Sequence, residues 1–171
     1  MIPKTSFKEF SKDFIEMTGD TIQRLIMARI VETPAYVIQE LGLEFPPGQT
    51  ILWGLLIFGK KSLHFFVHAT ESSLATMFRN ATNGKPPRQQ YLHIPRENLI
   101  QLEPVATEPG IFSLARILPF LRNKPRLLKV NFQFEEPHSQ KKSSSDKGNY
   151  TIFLEPVVAM KEITPLLEQY L

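Results

Sequence analysis

The sequence predicts an α+β domain in which a bent antiparallel sheet is covered by a C-terminal helix. Three observations carry that prediction. Two apolar runs, residues 50–58 and 63–68, flank the polar tetrad Gly59-Lys60-Lys61-Ser62, the pattern of a β-hairpin. Residues 127–134 alternate Leu128, Val130, Phe132 and Phe134 against Lys129, Asn131 and Gln133, which marks a strand with one buried face. Val157, Met160, Ile163, Leu167 and Leu171 then recur at helical spacing.

The remaining elements follow in chain order. Ser6 and Glu9 have capping-box spacing, and Phe7, Phe10, Phe14 and Met17 fall near one face of a first helix that Gly19 can terminate. Residues 20–32 fit two templates: Ile22, Leu25, Ile26 and Arg29 suit a helix, whereas Ile26, Ala28 and Ile30 suit a strand. The helix is preferred, so residues 1–33 read as an N-terminal helical extension. From Pro34 the pattern turns to β, with Tyr36, Ile38 and Phe45 leading to a Pro46-Pro47-Gly48 turn. Residues 71–78 suggest a helical turn, 80–89 a polar loop, and 91–95 and 99–105 two further strands. An insertion over 105–126 holds a short apolar helix at 111–120. Residues 135–149 form a polar hairpin loop, 150–154 the return strand, and 157–171 the last helix, which Pro165 should kink or restart. No repeat or internal boundary divides residues 1–171, which read as a single domain.

Composition bounds the function. A chain of 171 residues, 42% hydrophobic and 22% charged, can bury a substantial core. Thirteen Phe point to a phenylalanine-rich interior, and fourteen Pro argue for strands with punctuated connections over a helical bundle. A net charge of +3 neither requires nor excludes an anionic partner. The absence of Cys excludes disulfides, thiolate nucleophiles and cysteine-ligated metals. The first residues turn acidic before any apolar run, unlike a secretory leader, and the longest apolar run, 51–58, is far shorter than the roughly 20 residues of a membrane span. A cytoplasmic location is the resulting expectation.

Three segments resemble the pleckstrin-homology (PH) and GRAM barrels over roughly residues 35–171. Gly54-Leu55-Leu56-Ile57-Phe58-Gly59-Lys60-Lys61-Ser62-Leu63-His64-Phe65-Phe66 looks like the family's hairpin, with a glycine and apolar residues before a polar turn and a Leu-x-Phe strand. His93-Ile94-Pro95-Arg96-Glu97-Asn98-Leu99-Ile100-Gln101-Leu102 is similar to its Ile-Pro strand. Residues 128–134, 150–154 and the last helix match its final two strands and the helix that plugs one open end. The resemblance implies a PH-like bent antiparallel β-barrel capped by a C-terminal helix, with an extra N-terminal helical segment. It also implies a binding module without catalysis. An open antiparallel sheet with helices on one face is the alternative architecture.

No chemistry-bearing motif competes with that reading. His64 and His68 lie four residues apart on a strand, about 13 Å, too far to share a metal ion, although His93 can approach His64 from a neighbouring strand. No Gly-x-Ser-x-Gly elbow is present, glycines are too sparse for a phosphate loop, and Glu135-Glu136 would point to opposite faces if extended. Neither a catalytic residue nor a cofactor is expected.

Basic residues supply the candidate binding positions. Arg116, Arg122, Lys124, Arg126 and Lys129 occur without an acid between residues 116 and 129, beside Ile117, Leu118, Phe120 and Leu121. Such a segment suits phosphate headgroups or an acidic protein surface, while a solvated loop with tucked apolar residues is the competing reading. Phosphoinositide-binding members of the resembled family carry basic residues around the first hairpin loop. The matching turn here, Pro46-Pro47-Gly48-Gln49-Thr50, has none, and Lys60 and Lys61 compensate only in part. Lys60, Lys61, Arg116, Arg122, Lys124 and Arg126 are therefore the candidate anion- or partner-binding residues. The functional expectation is an intracellular protein–protein interaction module. The alternative is a peripheral membrane module binding anionic lipid through residues 116–129. Aromatic residues at strand-core spacing are needed inside, which argues against nucleic acid.

Overall fold

The computed structural model describes residues 7–45, 51–67, 90–106, 126–134 and 148–170. Helix α1 (Phe7–Thr18) leads into strand β1 (Ile22–Val31) and a short helix α2 (Ala35–Glu40). Strands β2 (Leu52–Gly59), β3 (Ser62–Val67) and β4 (Tyr91–Pro95) follow, then a single 3₁₀ turn (Arg96–Asn98) and β5 (Leu99–Val105). Strands β6 (Leu127–Phe134) and β7 (Gly148–Pro156) precede the last helix, α3 (Met160–Tyr170). All strand pairs are antiparallel, in one seven-stranded sheet of order β4-β3-β2-β1-β7-β6-β5.

The strand order forces the sheet to bend. Strands β4 and β5 are its two edges, yet only the residues Arg96–Asn98 separate them in sequence. Flat, seven strands would place the edges about 29 Å apart at about 4.8 Å per strand. The four peptide steps from Pro95 to Leu99 reach at most about 15 Å. The edges approach without pairing, so the expected barrel is not closed. Each edge carries a proline, Pro95 on β4 and Pro104 on β5, and so lacks a backbone donor there.

The concave face holds the main core. Ile26, Ala28 and Ile30 of β1 meet Leu56 and Phe58 of β2, Leu63 and Phe65 of β3, and Val130, Phe132, Ile152 and Leu154 of β6 and β7. Helix α3 adds Met160, Ile163, Leu167 and Tyr170, the last of these edge-on to Phe58 at 5.4 Å. Val157, expected on the buried face of that helix, precedes it and is 64% exposed. The helix also continues through Pro165. Lys161 and Pro165 are both exposed, so water can satisfy the carbonyl that the missing N–H leaves.

Two expected elements are corrected. Residues 22–31 are a central strand, not part of a helical extension: Ile26, Ala28 and Ile30 face the core while Ile22 and Leu25 pack on the opposite face. Residues 35–40 are helix where extended chain was expected. Pro34 starts that helix, and Gly42, at φ +72°, ends it. The Leu43 amide donates to the Ile38 carbonyl at 3.0 Å and the Gly42 amide to the Gln39 carbonyl at 2.9 Å, a Schellman ending whose flanking residues Ile38 and Leu43 are buried together. The expected features at residues 46–50, 68–89, 107–125 and 135–147 lie outside the described residues.

On the convex face α1 packs on β1, β2 and β3. Phe14, Ile57 and Phe66 form a second, smaller core, with Phe10, Ile22, Leu25 and Leu55 against it. Among the described residues no helix is long and apolar enough to cross a membrane.

Candidate functional site

Beneath the C-terminal end of α1 lies a buried polar cluster. Gly19, at φ +66°, ends the helix, and the chain turns Asp20 towards the β2–β3 hairpin. Asp20 is 2% exposed. Its carboxylate accepts hydrogen bonds from the amides of Thr21 (2.7 Å), Lys61 (3.0 Å) and Ser62 (2.9 Å) and meets His64 Nε2 at 3.1 Å. Lys61 returns the connection, its ammonium donating to the Gly19 carbonyl at 3.0 Å. The end of helix α1 is thus tied to the sheet through Lys61 and Ser62, on the β3 side of the hairpin turn.

Cross-strand register assembles the rest. Ile57 faces His64 and His64 faces His93, placing the two histidine rings in a stack with centroids 5.1 Å apart. His64 Nδ1 lies 2.6 Å from the Tyr91 hydroxyl, and His93 Nε2 lies 2.8 Å from Ser62 Oγ. Phe14 of α1 closes over His64 edge-on at 4.9 Å. An ionised carboxylate only accepts, so a neutral His64 carries its proton on Nε2 and accepts a hydrogen bond from the Tyr91 hydroxyl at Nδ1.

Burial dominates the titration of the histidines. It pushes His64 below the ordinary histidine value, His93 reinforces the effect, and Asp20 opposes it. His93 is lowered by burial too, against the pull of Asp20. Burial and then the Asp20 charge push the Tyr91 phenol up to about 12. For Asp20 burial acts upward, but the His64 bond and the Thr21 and Lys61 amides outweigh it and hold the carboxyl below its usual value.

This arrangement is a clamp by its chemistry. Ser62 and His93 have the separation of a nucleophile and base, but the carboxylate orients His64 instead. The Lys61 and Ser62 amides are already filled by Asp20 and are not open to an oxyanion. Both ring nitrogens of His64 are engaged, and no three metal-ligating side chains converge among the described residues.

Beside the clamp runs a groove of about 330 Å³ between α1 and the hairpin, lined by Phe10, Asp13, Phe14, Met17, Leu55, Phe66 and Val67. The apolar face of α1 is only half used: Phe14 is buried, while Phe7 is 65% and Met17 58% exposed.

The described basic candidates do not line this groove. Lys60 is exposed at the hairpin tip, and Lys61 is held by Gly19 and Asp20. Arg126 is exposed next to β6, its amide donating to the Val105 carbonyl at 3.1 Å, and Lys129 pairs with Glu103 at 3.4 Å. Along β1, Ile22 faces Gly59 and Arg29 faces Glu155, so the hairpin end and the start of β6 are about 23 Å apart in the strand direction. Arg116, Arg122 and Lys124 lie outside the described residues. Sequence reasoning brought His93 near His64 but missed Asp20, whose carboxylate reaches the hairpin from 41 residues away.

No family model matches this chain. A search of curated proteins gives no match either. Among solved structures it is similar to the C-terminal domain of an unknown protein from Leishmania infantum, with 14% identity, coverage of 94% of each chain and a TM-score of 0.48.

Proposed function

We propose that the chain is a non-catalytic binding module of PH-like type that takes a protein partner between α1 and the β2–β3 hairpin. The observation that carries this reading is the half-used apolar face of α1 beside the groove, where Met17 and Phe7 remain exposed and Phe66 and Leu55 form the floor. Exposed apolar surface continuous with a cleft is a feature of interaction sites. The PH-like assignment draws on the bent antiparallel sheet and the C-terminal helix α3 packed into it, features that the resemblance implies. A polar cluster whose donors and acceptors satisfy one another supports the non-catalytic part of this reading.

A photo-crosslinking residue at position 10, on the groove wall, tests the reading in cells. It should give a discrete protein adduct that Met17→Glu abolishes, while the same residue at position 161 on α3 gives none. Equal adducts from both positions would reject the groove. Salt-sensitive co-sedimentation with phosphatidylserine vesicles, weakened by Arg122→Glu and Lys124→Glu, would instead support the lipid-binding alternative through residues 116–129.

A further inference from the structure

We propose that the segment received by this groove is an amphipathic helix whose apolar face is flanked by basic residues. The inference rests on the protein-binding reading above and specifies the partner's chemistry. The groove floor comes from β2 and β3, and both strands are interior: β2 lies between β1 and β3, and β3 between β2 and β4. Their backbone donors are engaged in the sheet, so a partner cannot add as a strand there. What remains is side-chain packing along α1. That helix has 12 residues, about 18 Å of length, with Phe7 and Met17 near its two ends. A helix laid beside it would bury both.

Charge selects among such helices. Asp13 lines the groove and makes no ion pair among the described residues. At about 100° per residue, Asp13 lies about 50° from the direction midway between Phe10 and Met17, whereas Lys8 and Lys12 lie about 150–170° away. The lysines of α1 are thus turned from the groove and a carboxylate towards it. The chain as a whole carries +3, so its overall field favours an acidic ligand and the groove favours a basic one. The two expectations have opposite sign, which makes the experiment decisive.

The intact 171-residue chain, labelled at its methionine methyl groups, would be titrated with three synthetic 14-residue peptides. One carries a leucine face flanked by lysines, one the same face flanked by glutamates, and one the lysine composition in scrambled order. The ordered lysine peptide should shift the Met17 methyl and leave Met27, exposed on β1, unmoved. It should bind about tenfold tighter than the glutamate peptide at low salt, with the gap shrinking as salt rises. Asp13→Lys should erase or invert the preference, and this exposed substitution leaves the fold intact. If the glutamate peptide binds as well or better at Met17, the basic partner is wrong and the protein-binding groove stands. If the scrambled peptide matches the ordered one, the contact is unspecific and the proposal falls. If no peptide moves Met17, the groove reading falls with it.

Discussion

Gly59 leaves room for Asp20: a Cβ at position 59 would overlap the carboxylate, with Cγ of Asp20 2.8 Å away and the Ser62 carbonyl oxygen at the same distance. The glycine is therefore required by a side chain that arrives from the end of α1, and not by its own backbone conformation. Gly59→Ala should cost about 1–3 kcal/mol through overpacking. Urea unfolding measures it. A change under about 0.5 kcal/mol would mean that the carboxylate can shift without loss, and the clamp would be looser than its geometry states.

Removing the carboxylate acts more strongly. Asp20→Ala leaves the Lys61 and Ser62 amides and His64 Nε2 without their shared acceptor in a buried site. The expected loss is about 1–3 kcal/mol for each buried donor left unsatisfied, so at least about 2 kcal/mol in all. His64→Phe in the same background should cost less than it does alone, because its partner is already gone. Additive losses in that double-mutant cycle would separate the two residues energetically.

The same cluster sets a pH dependence. The folded-state pKa of His64, and of His93, lies below the ordinary 6.5, so between the two values the unfolded chain binds more protons. Their contribution is complete above pH 6.5 and is lost as pH falls through the folded values. Asp20 adds a second loss below its ordinary 3.8, since its folded carboxyl is also depressed. Stability measured at pH 7.5, 6.5 and 5.5 should decline on acidification, and His64→Gln should flatten the decline. A wild-type profile that is level across that range would contradict the buried, neutral histidine.

Much of the sheet was legible for two reasons: β2 and β3, covered on both faces, read as apolar runs around a polar turn, and one-sided burial leaves β6 a period of two. The β2–β3 hairpin and the alternation of Leu128, Val130 and Phe132 appear where expected. Strand β1 escaped because both its faces are partly covered, Ile26 and Ala28 inward and Leu25 under α1, so alternation is blurred and Ile22, Leu25 and Ile26 mimic a helix. Helix α2 was misread although Pro34 and Gly42 bracket it, since six residues are too few to display a helical period. The clamp was the least legible part: His64 and His93 share a register, but Asp20 joins them only through tertiary folding.

The last prediction concerns α3, whose C-terminal end sits at the corner where the sheet edges approach. Tyr170 packs against Phe58 of β2, and the Arg96 guanidinium, from the turn between β4 and β5, lies 5.1 Å over its ring. One side chain thus touches the middle of the sheet and the link between its unpaired edges. Met160, Ile163, Leu167 and Tyr170 are all buried, each worth roughly 1.5–3 kcal/mol. Their sum, roughly 6–12 kcal/mol, is comparable to the whole stability of a domain. Deleting residues 157–171 should therefore abolish cooperative unfolding and expose the concave core to aggregation, read by scanning calorimetry and light scattering. Tyr170→Ala should remain folded but lose about 3–5 kcal/mol, which keeps the test quantitative if the truncation cannot be purified. A truncated chain that stays monomeric and melts cooperatively near the parent would make α3 an appendage. The unpaired edges would then be held by the Arg96–Asn98 turn and the strands alone.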